Sequence, residues 1–138
     1  MEVVVPAMPD AANPQMGPWV KTLARAVSES EHDTYLVGHS LGCIAILRYL
    51  ESPSCGGELS SFFNTPLDWE RIRNHCEKFV SIHSDNDGWV DVSNSDLFAS
   101  NLKAKTLIRH NMGHFSGSDG VTELPGVLDE LNQLMEAS

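Results

Sequence analysis

Positive charge is scarce in this chain: 9 Lys and Arg stand against 19 Asp and Glu in 138 residues, a formal net charge of −10 at pH 7. So few cations cannot neutralise a row of phosphates, which argues against nucleic acid as a partner. The same balance argues against an anionic membrane surface. Long apolar runs are also missing. No stretch approaches the roughly 20 residues of a membrane helix, and Met1-Glu2-Val3-Val4-Val5-Pro6 lacks the basic segment and apolar core of a secretory signal. Cysteine is sparse, with Cys43, Cys55 and Cys76 widely spaced and forming no CxxC pair. An odd, scattered set is no disulfide framework, and reduced thiols point to a cytoplasmic protein. Internal repeats and low-complexity segments are absent. The length suits a single domain over 1–138 with one core.

What is present alternates. Residues 2–5, 34–37, 78–83 and 106–109 are short runs rich in β-branched or apolar residues, read as strands. Between them lie helical spacings: Trp19, Val20, Leu23 and Val27; Ile44, Leu47 and Leu50; and a short helix opened by Pro66 over 66–72. A further helix over 94–102 is expected to bury Leu97, Phe98 and Leu102, and one over 124–135 to bury Val127, Leu128, Leu131 and Leu134. Residues 8–18 and 52–61 read as loops. Strands alternating with helices predict an α/β protein, with a mostly parallel sheet and helices on both faces.

The strongest local signal is Gly38-His39-Ser40-Leu41-Gly42, a G-x-S-x-G between a predicted strand and a predicted helix. Such a strand-to-helix turn projects a serine from the carboxyl end of a sheet. Both glycines are expected to be required there, because side chains would strike neighbouring backbone. The serine sits at a helix N-terminus, where free N–H groups favour developing negative charge, and the Leu41 N–H is a candidate oxyanion donor. A serine hydroxyl needs a base, and the base needs an orienting carboxylate. On this architecture they follow in the order Ser, Asp, His. Asp87 lies in the turn after 78–83, with Asp85 nearer the strand end and Asp91 further along as alternatives. His114 lies in the loop after 106–109 and is preferred over His110 at the strand end. His39 reads as a packing and hydrogen-bonding residue, and His39, Trp89 and Phe115 are candidates for a pocket wall. Cys43 reads as a small core residue. His32, His75 and His83 read as surface or partly buried. The 6 histidines show no metal-ligand spacing. Asp85-Asn86-Asp87-Gly88 imitates a calcium loop, but the first and last ligand positions would be His83 and Asn94, which do not suit it.

These stretches together resemble the small single-domain α/β-hydrolases of the RBBP9/YdeN type, a serine hydrolase group. Met8-Pro9-Asp10 resembles that family's turn after a strand, and Tyr35 to Cys43 with Ala45-Ile46-Leu47-Arg48 its nucleophile region. Phe63 to Ile72 is similar to the segment before its acid strand. Ser84-Asp85-Asn86-Asp87 resembles its acid turn, in which the last Asp is the catalytic one. Gly113-His114-Phe115 with Leu124-Pro125 resembles its histidine loop and closing helix. The resemblance favours Asp87 over Asp85, although Asp91 stands where proline is usual. It implies a cofactor-free serine hydrolase with the triad Ser40, His114 and Asp87. Such an enzyme would act on an ester, thioester or amide carbonyl of a small acyl substrate.

The resemblance also implies two strands that the sequence does not supply. One would precede the strand at 2–5 and carry a Gly-rich loop with the second oxyanion donor. The other would lie between the nucleophile helix and Phe63, where 52–61 is too short and polar to hold it. The chain therefore reads as a truncated member whose sheet lacks the usual first strand and one interior strand. Unpaired strand edges call for a partner, self-association or re-pairing, and loss of one oxyanion donor costs about 10²–10³ in rate. The alternative expectation is a catalytically impaired module that keeps the hydrolase shape for binding.

Overall fold

The apolar spacing around Trp19 forms helix α1 (Met16–Ser28) in a computed structural model that describes residues 2–30, 33–51 and 61–137. His32, Cys55 and the loop over 52–60 lie outside the described residues. Helix α1 begins before the expected start at Trp19 and takes in Pro18. Proline is tolerated in a first turn because its missing N–H has no helical acceptor to lose. Two compact units make up the chain, Met1–His75 and Cys76–Ser138.

The first unit holds α1, α2 (Leu41–Glu51) and α3 (Trp69–His75). Its core joins Met16, Trp19, Val20 and Leu23 of α1 to Ala45 of α2 and to Phe62. The Trp19 and Phe62 rings meet edge to face at 5.6 Å, and the indole N–H donates to the Pro9 carbonyl at 2.8 Å. Arg48 is buried in the middle of α2. Its guanidinium donates to the carbonyls of Phe62, Thr65 and Pro66 and to Glu51. Glu51 in turn accepts the Asp68 N–H at 2.7 Å. One buried cation thus clasps the chain leading into α3. That helix starts at Trp69 and not at Pro66, because Asp68 caps it: its Oδ1 accepts the Arg71 N–H at 3.1 Å.

Residues 2–5 and 34–37, expected as strands, join no ladder among the described residues. A β-branched composition marks a segment that fits a pleated, half-buried face, but a strand exists only where a partner supplies its row of hydrogen bonds. Val5 is 87% exposed and Val37 62%.

The second unit is a β-α-β core with a closing helix. Strand β1 (Val80–Ser84) pairs in parallel with β2 (Lys105–Arg109), in register from Val80 against Lys105 to Ser84 against Arg109. Helix α4 (Asn94–Leu102) connects them and packs on both. Its inner stripe is Ser95, Phe98 and Leu102, at helix spacing, and the Phe98 ring meets His83 of β1 edge to face at 5.6 Å. Leu97, expected in the core, falls off that stripe and is exposed. Helix α5 (Pro125–Glu136) closes the unit, with Lys105 Nζ held by Glu130 Oε2 at 2.6 Å and by Gln133 at 3.0 Å. Leu128, also expected inside, is exposed. No helix among the described residues is long and apolar enough to cross a membrane.

Candidate active site

Ser40 stands immediately before α2 with φ +52°. A side-chain-bearing residue enters this left-handed region only where its surroundings hold it there. The turn is closed by the Gly42 N–H to the His39 carbonyl and the Cys43 N–H to the Ser40 carbonyl, both at 2.9 Å. Gly38 is obligatory: a Cβ would lie 2.8 Å from the Gly42 carbonyl carbon and 2.9 Å from the Cys43 nitrogen. Gly42 differs from expectation, since a Cβ there would meet nothing within 4 Å. It lies inside the first turn of α2 and faces open space, so sterics do not require it. Leu41 is the first residue of α2, and its N–H belongs to the turn that has no intrahelical acceptor. The Cys43 thiol donates to the Gly38 carbonyl at 3.2 Å. Burial pushes this thiol up, against a weaker opposing backbone hydrogen bond, so it stays protonated and is no rival nucleophile. His39 and Ser40 are both exposed.

Asp87 and His114 lie in the second unit and meet there. Asp87 Oδ2 is 2.8 Å from His114 Nδ1, and Oδ1 accepts the N–H groups of Trp89 at 2.8 Å and Val90 at 3.0 Å. Burial pushes the Asp87 carboxyl up, but the Trp89 N–H, His114 and the Val90 N–H outweigh it and hold it below the usual carboxylate value. A carboxylate only accepts, so it fixes the Nδ1–H tautomer and leaves Nε2 of the neutral imidazole as the acceptor.

The competing residues form a pair of their own. Asp85 Oδ2 lies 2.5 Å from His110 Nδ1, and its Oδ1 accepts the Asn111 N–H at 2.9 Å. The Asn111 N–H and then His110 hold the Asp85 carboxyl low. Asp91 is taken up by the turn into α4, accepting the Ser93 N–H at 2.8 Å.

The histidine loop is pinned by residues that sequence reasoning passed over. Ser84 Oγ accepts the Met112 N–H at 3.1 Å, and Asn86 Oδ1 accepts the Gly113 N–H at 2.8 Å. Asp119 Oδ2 accepts the His114 N–H at 2.9 Å and the Ser116 hydroxyl at 2.6 Å. Gly113 has φ +53°, and a Cβ there would sit 2.5 Å from the Asp119 carboxyl carbon. The Ser116-x-x-Asp119 spacing of a capping box was a readable sign of this arrangement. His83 is buried, with Nε2 lacking a hydrogen-bond partner among the described residues; burial lowers its pKa, against the nearby Asp87 charge. Trp89, offered as a pocket wall, is 86% exposed, and its N–H serves Asp87. Phe115 is half-buried with φ +53°. Among the described residues no three His, Cys, Asp or Glu side chains converge as metal ligands would.

The chain is similar to several known proteins. A family model described as serine hydrolase matches residues 4–133. Putative hydrolase YdeN of Bacillus subtilis (strain 168) is 32% identical over 143 residues, covering 90% of this chain and 75% of that protein. Serine hydrolase RBBP9 of Rattus norvegicus is 25% identical over 128 residues, covering 81% of this chain and 68% of that protein. The crystal structure of the ydeN gene product from B. subtilis matches with a TM-score of 0.82 at 28% identity, over 94% of this chain and 80% of that one. The fold is that of an α/β-hydrolase with a small, open parallel sheet. The family model over 4–133 and the 32% identical relative lead to one conclusion: the chain belongs to the serine hydrolase family.

Proposed function

We propose that the two units act as one catalytic domain over 1–138, a carboxylesterase-like hydrolase with Ser40 as nucleophile, His114 as base and Asp87 as the acid that orients it. The observation that carries this reading is the 2.8 Å contact between Asp87 and His114 Nδ1, which leaves Nε2 to receive a proton. The left-handed Ser40 ahead of a helix N-terminus supports the nucleophile's role.

His114 Nε2 takes the Ser40 proton as Oγ attacks an ester, thioester or amide carbonyl. The carbonyl electron pair moves onto oxygen, where the Leu41 N–H donates to it. Collapse expels the alcohol, thiol or amine, which receives the proton from His114 and leaves an acyl-Ser40. Water, deprotonated by His114, then attacks the acyl carbon and releases the acid. Asp87 holds the imidazole and stabilises its charged form without accepting the proton. The reading calls for no cofactor and a small acyl substrate. The scattered cysteines support a reducing, cytoplasmic setting.

A second reading is a binding module with impaired catalysis. The exposed Val3, Val4, Val5 and Val37 favour it, since apolar side chains in segments without ladders invite a partner. Intact-mass labelling with a fluorophosphonate probe separates the two. One stoichiometric adduct, absent in Ser40→Ala and in His114→Ala, is expected. A cooperatively melting chain that takes no adduct would sink the hydrolase reading for this chain and leave the binding one.

A further inference from the structure

The geometry points to Asn86, working with the buried Ser84, as a positioning residue for His114. This rests on the reading of His114 as the base. The backbone around His114 is left-handed at Asn111, Gly113 and Phe115, with φ of +56°, +53° and +53°, which glycine adopts freely and the bulky Phe115 does not. Such a conformation persists only where the surroundings over-determine it.

Here the surroundings are successive side chains from the end of β1. Asp85 Oδ1 takes the Asn111 N–H at 2.9 Å, Ser84 Oγ the Met112 N–H at 3.1 Å, and Asn86 Oδ1 the Gly113 N–H at 2.8 Å. Together with the Asp87 contact to the ring, every residue of Ser84-Asp85-Asn86-Asp87 holds at least one group of the 110–114 segment.

These acceptors are not equivalent. Asp85 and Asn86 are both exposed, but Asp85 shares its carboxylate with the exposed His110, whereas Asn86 also takes a donor from the buried side. Ser84 is 1% exposed, and its hydroxyl donates to Asn86 Oδ1 at 2.8 Å. Asn86 Oδ1 is therefore a junction of two donors, one from its own strand end and one from the residue before His114. Losing that oxygen leaves the buried Ser84 hydroxyl without an acceptor for its proton, although it still accepts the Met112 N–H, and frees the backbone that carries the base. An amide makes the junction without adding a third carboxylate beside Asp85 and Asp87, so Asp87 alone orients the ring.

Turnover of p-nitrophenyl acetate and the downfield proton resonance of the His114 Nδ1–H test this in Asn86→Ala and Asn86→Asp. In Asn86→Ala, kcat should fall about 10²-fold with KM little changed, as expected for a misplaced base, and the resonance should broaden or move. Asn86→Asp keeps the accepting oxygen and should return kcat to within about tenfold of the parent, with a shifted pH profile from the added charge. Where Asn86→Ala does not melt cooperatively, Ser84→Ala reads the same junction from its buried side. Parental kcat and resonance in the alanine variant would overturn the assignment. So would an Asn86→Asp chain as impaired as Asn86→Ala. Turnover that survives Ser40→Ala would overturn the catalytic reading alone, and the resonance then decides the positioning role.

Discussion

Two Asp–His pairs hang from the same strand ends, built from the same residue types, and they differ in almost everything that decides function. Asp85 and His110 meet with side chains 37% and 80% exposed, whereas Asp87 and His114 meet at 7% and 20%. Both carboxyls are held below the usual value, but by different balances. The Asn111 N–H leads for Asp85, while for Asp87 burial works against a lowering supplied by two backbone N–H groups and the imidazole. In water an Asp–His contact can be exchanged for solvent at little cost. In a sheltered site the carboxylate is held in one orientation, and the ring with it. Residue type and proximity do not separate the pairs; shelter and a held carboxylate distinguish the one that we propose for the chemistry.

The largest effect should come from breaking the sheltered pair. Asp87→Asn presents an amide to Nδ1 and allows the wrong tautomer, so ester turnover should fall about 10⁴-fold, as should His114→Ala. Steady-state kcat on p-nitrophenyl acetate reads both. A loss under tenfold in Asp87→Asn would move the orienting role elsewhere, with Asp85 the first place to look. The next effect comes from the loop that delivers His114. Gly113→Ala combines a left-handed φ with a Cβ 2.5 Å from the Asp119 carboxyl carbon. It should destabilise by about 1–3 kcal/mol, read by urea denaturation, and lower kcat as well.

The comparison also shows what a sequence can carry. Periodicity predicted the bounds of α4, and motif order led to Ser40 and to an acid and a histidine after later strands, the proposed triad. Both are encoded in residue type at fixed spacing. Order left Asp85 and Asp87 both open, and the family resemblance made the choice; in the structure each meets a histidine and burial sets the two apart. Ser84, Asn86 and Asp119 went unread because side chains that bond to backbone leave no periodic trace. Leu97 and Leu128 were misplaced because apolar character was taken for burial, although helix phase puts both outside. Residues 2–5 and 34–37 have strand composition, yet pairing depends on a neighbour that composition does not reveal. The G-x-S-x-G pattern overstated its second glycine: Gly38 is packed against backbone and Gly42 is not.

Acid should separate the pairs more gently. A carboxyl held low in the native state binds fewer protons there than when unfolded. It therefore adds stability above its unfolded pKa, and that stability is lost as pH falls through the lower native value. Asp85, Asp87, Asp91 and Asp119 all have this sign. The chain should lose stability as pH falls from about 5 towards about 2. Asp87→Asn and Asp85→Asn should each flatten that limb. The part removed by Asp85→Asn should shrink in about 1 M salt, while the part removed by Asp87→Asn should largely persist. Urea midpoints across pH at two salt concentrations measure this, and equal salt sensitivity in the two variants would erase the distinction drawn from shelter.

The smallest effect should be at the outer histidine. The His110 side chain is 80% exposed, and its partner Asp85 keeps the Asn111 N–H when the ring is removed. Exposed ion pairs lose in side-chain entropy and solvation nearly all they gain in attraction. His110→Ala should therefore leave Tm within error of the parent and change kcat by less than about threefold, against about 10⁴ for His114→Ala. Differential scanning fluorimetry and the same ester assay are sufficient. A large loss at His110 would mean that the outer pair helps hold the loop, and that the backbone bond from Asn111 to Asp85 depends on the imidazole beside it.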